Sequence, residues 1–505
     1  MPNTPAVPAP SQEELAAAAA DLHMHIAPAD LARYGALMQG LVDDFNYVAA
    51  TPAPRLPVAY PRGAVHQPAA ADNPYNAWTY QCTIAGAANG PLKGKRVVIK
   101  DNIGVAGVPM LNGSAVYEGF VPDEDATVVN RVLAAGGTIL GKATCENFCF
   151  SGGSHTSATG PVRNPHNPDF MTGGSSSGCA ALLVAGEVDL AIGSDQGGSV
   201  RMPASFSGCV GIKPSYGLVP YTGAGPIEQS CDHLGPMAMS SADCALLLEV
   251  IAGYDDGRDP RQVARLDAKP YVAALGEGVR GLKIGILEEG FGTPGAEADV
   301  DAMVRAAGLR LRDAGAVVEE VSVPMHAVGG RIMITSILDG TLSTYTDLGP
   351  LGPNPKGYSL LEAIRFYYTA QRERADLMPV TVKTVLLCAQ IMRKRYGPYY
   401  SAKAQNLVRE LRAAYDCAFA DYDLLVMPTT PMKAHRIPPA DAPMEVVMGA
   451  ALDMTGNTSP FDVTGHPALS TPAGMSDGLP VGLMLVGRYG EDDVVLRAGH
   501  AFETL

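Results

Sequence analysis

Residues 173–201 read GGSSSGCAALLVAGEVDLAIGSDQGGSVR, with two Gly-Gly-Ser clusters around a small-residue helix and a short apolar strand. The first cluster is Gly173-Gly174-Ser175-Ser176-Ser177-Gly178; the second, Gly197-Gly198-Ser199, ends a turn that begins at Gly193. Without a Cβ, glycine lets the backbone approach a ligand and aim its N–H groups inward. Such a turn leading into a helix makes a preorganised cage for an anion. Acyl transfer requires that cage beside its nucleophile, because charge develops on the carbonyl oxygen in the transition state. The first cluster also fits the G-x-S-x-G elbow, with Ser176 as nucleophile, but that elbow must follow a strand. Here it follows the Arg163–Asp169 stretch, which Pro165 and Pro168 mark as a loop. Either cluster alone is compatible with an ordinary turn.

Together with Val97-Val98-Ile99-Lys100-Asp101-Asn102 upstream, the two clusters closely resemble the amidase signature family of serine hydrolases. The matching motifs are Lys100-Asp101-Asn102, Gly173 to Gly178, and Asp195-Gln196-Gly197-Gly198-Ser199-Val200-Arg201, with 75 residues from Lys100 to Ser175 and 24 from Ser175 to Ser199. The likeness continues through Gly211 to Gly217, Asp423 to Pro431 and Gly478 to Leu483, covering roughly residues 75–500. It implies an amidase with a Ser-Ser-Lys triad and an acyl-enzyme: Ser199 as nucleophile, Lys100 as base, and Ser175, after a cis Gly174–Ser175 bond, as proton relay. By the same match the N–H groups of Gln196, Gly197, Gly198 and Ser199 form the oxyanion hole, and neither metal nor organic cofactor is needed. No histidine occupies a matching motif, so a His-Asp triad lacks support.

Gln196, the extension at 11–50 and Tyr221 to Glu228 look like the bacterial amidases of nitrile metabolism. Those take aliphatic and aromatic amides and are usually homodimers, with the extension helping them dimerise. Phe148, Phe150, Gly174 and Ile227 are the candidate substrate-binding residues, although apolar side chains serve equally in core packing. Met484 replaces a glutamine common in relatives. The rival readings are a carbamate or aryl-acylamide hydrolase with the same triad, the A-type subunit of a tRNA-dependent amidotransferase, and an inactive scaffold.

A serine hydroxyl needs a base to become a nucleophile. An ordinary lysine is uncharged in only about one molecule in a few thousand at pH 7. A basic Lys100 therefore needs dry walls, which Val97 to Ile99 would supply. Asp101 would work against this unless it faces the other way, as neighbouring strand residues do. Asp195 and Arg201 read as a structural ion pair or turn brace.

A net charge of −15 argues against a nucleic acid or an anionic membrane as partner. No run of 18 apolar residues occurs, so no spanning helix is expected, and Met1-Pro2-Asn3-Thr4 does not begin a secretory signal. The nine cysteines are odd in number and several lie in expected helices, which suits free thiols in the cytoplasm. Cys145-x3-Cys149 near His155 lacks a second ligand pair for zinc, and His23-Met24-His25 is a weak metal signal.

The elements that must position this chemistry alternate strand and helix. Val97 to Ile99 reads as a buried strand, Thr127 to Ala135 as a helix, Thr138 to Leu140 and Val188 to Ile192 as strands. Lys283 to Leu287, Val300 to Ala314 and Val317 to Val323 form a βαβ unit, and Leu424 to Met427 and Leu483 to Val486 add late strands. The fold class is α/β: one large mixed sheet with helices on both faces, plus an N-terminal helical extension. Residues 1–10 are an expected disordered tail and 11–50 two helices, the second with Leu31, Tyr34, Leu37, Met38, Leu41, Phe45 and Val48 on one face to bury. A proline-rich linker at 51–75 and the catalytic domain at 76–505 follow. The segment 330–415 looks helical and is expected to overhang the site.

Overall fold

The computed structural model describes residues 7–262, 265–347 and 356–505. Part of the expected tail, residues 1–6, lies outside the described residues. The chain divides into two compact units, Met1–Leu56 and Pro57–Leu505.

In the first unit, helix α1 spans Gln12–Asp21 and helix α2 spans Pro28–Ala50. Ser11 starts α1 through a capping box: its Oγ accepts the Glu14 N–H at 3.2 Å, and the Glu14 carboxylate accepts the Ser11 N–H at 2.7 Å. Pro28 at the first position of α2 costs no hydrogen bond there. The stripe expected to be buried on α2 is mostly exposed: Leu31 is covered, but Leu37, Phe45 and Val48 are 78%, 63% and 67% exposed.

The second unit is organised by eleven strands of one sheet. These are β1 (Trp78–Ala85), β2 (Arg96–Lys100), β3 (Thr138–Ala143), β6 (Leu190–Asp195), β7 (Val210–Lys213), β8 (His233–Ala238), β9 (Lys283–Leu287), β10 (Val317–Val321), β11 (Leu424–Pro428), β12 (Ala468–Ser476) and β13 (Leu479–Gly487). Their order is β1-β3-β2-β6-β8-β7-β12-β13-β11-β9-β10. The sheet is mixed: β2 runs parallel to β3 and β6, β6 antiparallel to β8, and β9 parallel to β10 and β11. A separate hairpin joins β4 (Arg163–Asn164) and β5 (Asn167–Met171) where sequence suggested only a loop.

Alternation along the central strands distributes the core over two faces. Val97 and Ile99 enter one apolar cluster with residues of the helices Thr127–Ala134, Ser241–Ile251 and Asp492–Glu503. Val98 enters another with Cys179 to Leu183 of the helix Ser177–Val184. At β11, Leu424 and Val426 join the first cluster, whereas Leu425 and Met427 pack with Leu411 and Tyr415 on the opposite side.

The extended stretch after α2 departs from the expected linker. From Pro57 on it belongs to the large unit: His66 exchanges backbone hydrogen bonds with Gln81, and Arg62 pairs with buried Asp125. Strand β6 continues to Asp195 instead of turning at Gly193, because Gly193, Ser194 and Asp195 pair with Gly235, Leu234 and His233 of β8. Among the described residues no single helix is long and apolar enough to cross a membrane; one bent pair, Leu361–Leu377 with Val380–Tyr396, passes by length and composition alone. Ala363, Tyr367, Val382 and Val385 of that pair are buried in an apolar cluster.

Candidate active site

Lys100 is the last residue of β2, and its side chain is fully buried. Its Nζ lies 2.6 Å from Ser175 Oγ and 2.9 Å from Ser194 Oγ, and it also donates to the Ser194 carbonyl at 3.3 Å. Asp101 takes the other side of the chain. Its carboxylate accepts the Leu111 N–H at 3.0 Å and sits 3.5 Å from Lys142 Nζ. The two side chains thus leave the strand end on opposite sides, as neighbouring strand residues do.

The Gly174–Ser175 peptide is cis, as the family resemblance implied. Gly174 admits no side chain, since a Cβ there would stand 2.5 Å from the Gly153 carbonyl. The Ser176 N–H donates to the Ser199 carbonyl at 3.2 Å, which ties the two Gly-Ser clusters together. Ser176 Oγ is spent on the backbone of Ser194, donating to its carbonyl at 3.3 Å and accepting its N–H at 3.4 Å. Buried and bound in this way, it does not serve as an elbow nucleophile. Ser199 instead lines a cavity of about 540 Å³, and its hydroxyl makes no hydrogen bond to the described residues. Catalytic hydrogen bonds of an empty enzyme often form only with substrate in place.

The turn before Ser199 is braced from behind. Asp195 accepts the Gly198 N–H at 2.6 Å and the Val200 N–H at 3.1 Å. It also grips Arg201, with Nε–Oδ2 at 2.9 Å and Nη2–Oδ1 at 3.0 Å. Burial alone would push the Asp195 carboxyl up, but the Arg201 guanidinium outweighs it and holds the group well below the usual carboxylate range. Arg201 continues to Asp462 Oδ2 at 2.8 Å and to the Thr458 carbonyl at 2.9 Å. Burial and the nearby Asp195 charge push the Asp462 carboxyl well up. Thr458 Oγ1 in turn donates to the Gly197 carbonyl at 2.7 Å.

This bracing changes the expected anion cage. The Gly198 N–H is already given to Asp195, so it does not join Gln196, Gly197 and Ser199, whose amides have no partner among the described residues. Gly198 is needed for shape: its φ is +130°, and a Cβ would fall 2.3 Å from Thr458 Oγ1.

The substrate-binding candidates separate. Phe150 and Ile227 line the cavity with Ser199. Phe148 does not: its ring packs among Tyr117, Tyr345 and Tyr367, and its carbonyl accepts the Tyr345 hydroxyl at 3.0 Å. The chain takes left-handed conformations at Phe148 and Cys149, with φ of 53° and 59°, so side chains two apart do not share a face here. Gly174 lies behind the wall, its N–H bonded to the Gly152 carbonyl at 2.7 Å. The far walls come from the helices His326–Leu342, Val380–Tyr396 and Met444–Leu452, through Met333, Ile337, Val385 and Leu452. The helical region thus overhangs the site as expected, and no charged residue lines the cavity among the described residues.

Several site residues escaped the sequence reading. Ser194 anchors Lys100, accepts Asn102 Nδ2 at 3.1 Å and donates to Gln196 Oε1 at 3.3 Å, while Gln196 Nε2 donates to the Tyr221 hydroxyl at 2.6 Å. Ser194 stands directly before the Asp195–Arg201 motif, and its alternation with Asp195 was the available signal. Tyr221 opened one of the family-like segments, but nothing local tied its hydroxyl to Gln196. Cys145 and Cys149 do not gather with His155, whose Nε2 meets the Val447 carbonyl at 3.1 Å. No group of three metal-ligating side chains occurs among the described residues.

Comparison with known proteins extends this picture. A family model described as Amidase matches residues 64–496. An enantioselective amidase of Rhodococcus rhodochrous is 45% identical over 470 residues, covering 92% of this chain and 89% of that protein. The A-type subunit of the glutamyl-tRNA(Gln) amidotransferase from Methanosarcina barkeri is 36% identical over 428 residues, covering 82% and 85% of the two chains. Among solved structures, a bacterial aryl acylamidase of the amidase signature enzymes superposes with a TM-score of 0.69 at 26% identity, covering 82% of this chain and 83% of that one. The native peptide amidase from Stenotrophomonas maltophilia gives a TM-score of 0.66 at 32% identity, with the same coverage of 82% and 83%.

Proposed function

The chain belongs to the amidase family, hydrolases acting on amide bonds, and on that premise we propose that it converts aliphatic or aromatic carboxylic acid amides to the acid and ammonia through an acyl-enzyme on Ser199. The observation that carries this reading is the buried Lys100 amine 2.6 Å from Ser175 Oγ, in a cluster tied through the Ser176 N–H to Ser199, which lines an apolar cavity.

In the mechanism, uncharged Lys100 takes the Ser175 proton while Ser175 takes that of Ser199. Ser199 Oγ attacks the amide carbon, and the amides of Gln196, Gly197 and Ser199 receive the oxyanion. The proton returns through Ser175 to the leaving nitrogen, the C–N bond breaks, and ammonia departs. Water then attacks the ester by the same relay in reverse and frees the acid. Asp195 holds the shape of the oxyanion turn, and Ser194 fixes the amine.

The cavity supports apolar acyl groups: among the described residues it has no ionic partner for the charged amino acid head of free glutamine, which weighs against the amidotransferase reading. Aryl acylamides and carbamates fit the same chemistry. A panel of benzamide, an aliphatic amide, an anilide and an alkyl carbamate on wild type and Ser199→Ala tests the assignment. Turnover of the amides that vanishes in Ser199→Ala supports it; full turnover in that variant refutes it, and a preference for the carbamate reassigns the substrate.

The enzyme acts as a homodimer in this reading, supported by the exposed apolar stripe Leu37, Leu41, Phe45 and Val48 on α2. Nine free cysteines support a cytoplasmic location.

A further inference from the structure

In the proposed relay Lys100 is uncharged, so its nitrogen carries two N–H groups and one lone pair. Three partners surround it: the Ser194 carbonyl at 3.3 Å, Ser194 Oγ at 2.9 Å and Ser175 Oγ at 2.6 Å. A carbonyl only accepts, so it takes one N–H. The second N–H and the lone pair are divided between two hydroxyls, each able to donate or accept. Two arrangements exist. In one, the amine donates to Ser194 and its lone pair receives the Ser175 hydrogen, the direction that the relay requires. In the other, the Ser194 hydrogen fills the lone pair; the amine then donates to Ser175 and cannot take its proton.

We propose that Gln196 and Tyr221 are positioning residues that select the first arrangement by holding the Ser194 hydroxyl hydrogen away from Lys100. This inference rests on the amidase reading, with Lys100 as the uncharged base. Asn102 Nδ2, at 3.1 Å, and Lys100 Nζ occupy the two lone pairs of Ser194 Oγ, and its hydrogen goes to Gln196 Oε1 at 3.3 Å. The other acceptor within reach, Cys149 Sγ, lies at 4.0 Å and is weaker than an amide oxygen. Gln196 turns its oxygen to Ser194 because its Nε2 donates to the Tyr221 hydroxyl at 2.6 Å. That hydroxyl accepts because its own hydrogen goes to the Gly225 carbonyl at 3.0 Å. Burial keeps the Tyr221 phenol well above its ordinary range, so the hydrogen stays in place. A backbone carbonyl that can only accept thus sets the direction of each bond back to Lys100.

The phenol oxygen can be removed without moving the residue. The Arg261 guanidinium stands 4.6 Å from the centre of the Tyr221 ring, and the Tyr221 N–H donates to Asp259 Oδ2 at 2.7 Å; phenylalanine keeps both contacts. Tyr221 is not on the cavity wall. In Tyr221→Phe the Gln196 amide is free to turn its NH₂ toward Ser194, whose hydrogen then turns to the Lys100 lone pair.

The experiment measures benzamide hydrolysis by the full-length enzyme across neutral and alkaline pH, with thermal unfolding in parallel. Tyr221→Phe should lower kcat about fivefold, the worth of one hydrogen bond, with KM and unfolding unchanged. The deficit should persist on the alkaline plateau, where Lys100 is uncharged in both enzymes. A site merely loosened enough to wet Lys100 would raise its pKa, and the deficit would vanish at high pH. Ser194→Ala keeps the carbonyl but has no hydroxyl hydrogen to misdirect, so adding Tyr221→Phe there should cost nothing more. Gln196→Leu, which removes the acceptor outright, is a second background with the same expectation. An unchanged kcat, a deficit that vanishes at alkaline pH, or the same cost in the Ser194→Ala background would each overturn the proposal. Full turnover in Ser199→Ala would refute the amidase reading itself, whereas a Ser199-dependent enzyme indifferent to Tyr221→Phe refutes only the positioning role.

Discussion

Replacing Ser175 by alanine removes the oxygen that Lys100 Nζ meets at 2.6 Å, the relay of the proposed mechanism. The structural effect should be small. Lys100 keeps Ser194 Oγ at 2.9 Å and the Ser194 carbonyl at 3.3 Å, so what is lost is one buried hydrogen bond, about 0.5–1.5 kcal/mol of stability. The kinetic effect should be much larger, because the amine then has no hydroxyl through which to reach Ser199. Positioned acid–base groups contribute about 10²–10⁴-fold, or roughly 2.7–5.4 kcal/mol of barrier. Ser175 is not part of the cavity wall, so KM for an apolar amide should hardly move. Steady-state ammonia release from benzamide, with thermal unfolding run in parallel, separates the two effects. A kcat within a few-fold of wild type in a folded Ser175→Ala enzyme would refute the relay and leave Lys100 to act some other way. A fall in kcat matched by a broad loss of thermal stability would instead mark Ser175 as structural.

Gly198→Ala places a methyl 2.3 Å from Thr458 Oγ1 at a φ of +130°, so kcat should fall by about 10²-fold with altered turn geometry, and a kcat near wild type would show that the turn tolerates displacement. In a series of straight-chain primary amides, each methylene buried in the cavity should raise kcat/KM about fourfold, from ~0.8 kcal/mol per CH₂, until the far wall at Met333 and Ile337 is reached; a flat series would mean that the acyl chain lies elsewhere. At acid pH, hydrogen bonds from Lys433 and Ser476 hold the Asp299 carboxyl down at about 2. Its folded-state value lies below the unfolded one, so its contribution is present above about pH 4 and lost as pH falls toward 2. That side chain is 40% exposed, so solvent screening keeps the effect small; Lys433→Met should flatten the acid limb of a Tm-against-pH curve, and superimposable curves would refute the pairing.

Much of this protein could be read locally, and particular residues show where that stopped. The run Val97–Ile99 reads as a strand on its own because it is apolar on both sides, and the sheet does bury it on both faces. The glycine at 193 looked like the start of a turn, yet it pairs with Gly235 forty-odd residues away, a partner that no local window contains. Pro165 and Pro168 suggested a loop, but in a two-stranded hairpin every strand is an edge and tolerates proline. Phe148 and Phe150 could not be told apart by alternation, because two successive left-handed residues redirect the chain between them.

By itself, the amino-acid sequence determined which chemical groups are present and most of the strands and helix caps, such as Val97–Ile99 and the Ser11 capping box, since these depend on side-chain type and on neighbours a few residues away. Lys100, Ser175 and Ser199 were named through the family resemblance of three separated motifs, not through any local window. Tertiary structure decided how their partners are shared out: Ser194 on the amine, Asp195 on the Gly198 N–H, Thr458 behind Gly197, and a wall built from three distant helices. Those assignments depend on which segments meet in space and compete for the same hydrogen bond, and only the packed sheet settles that competition.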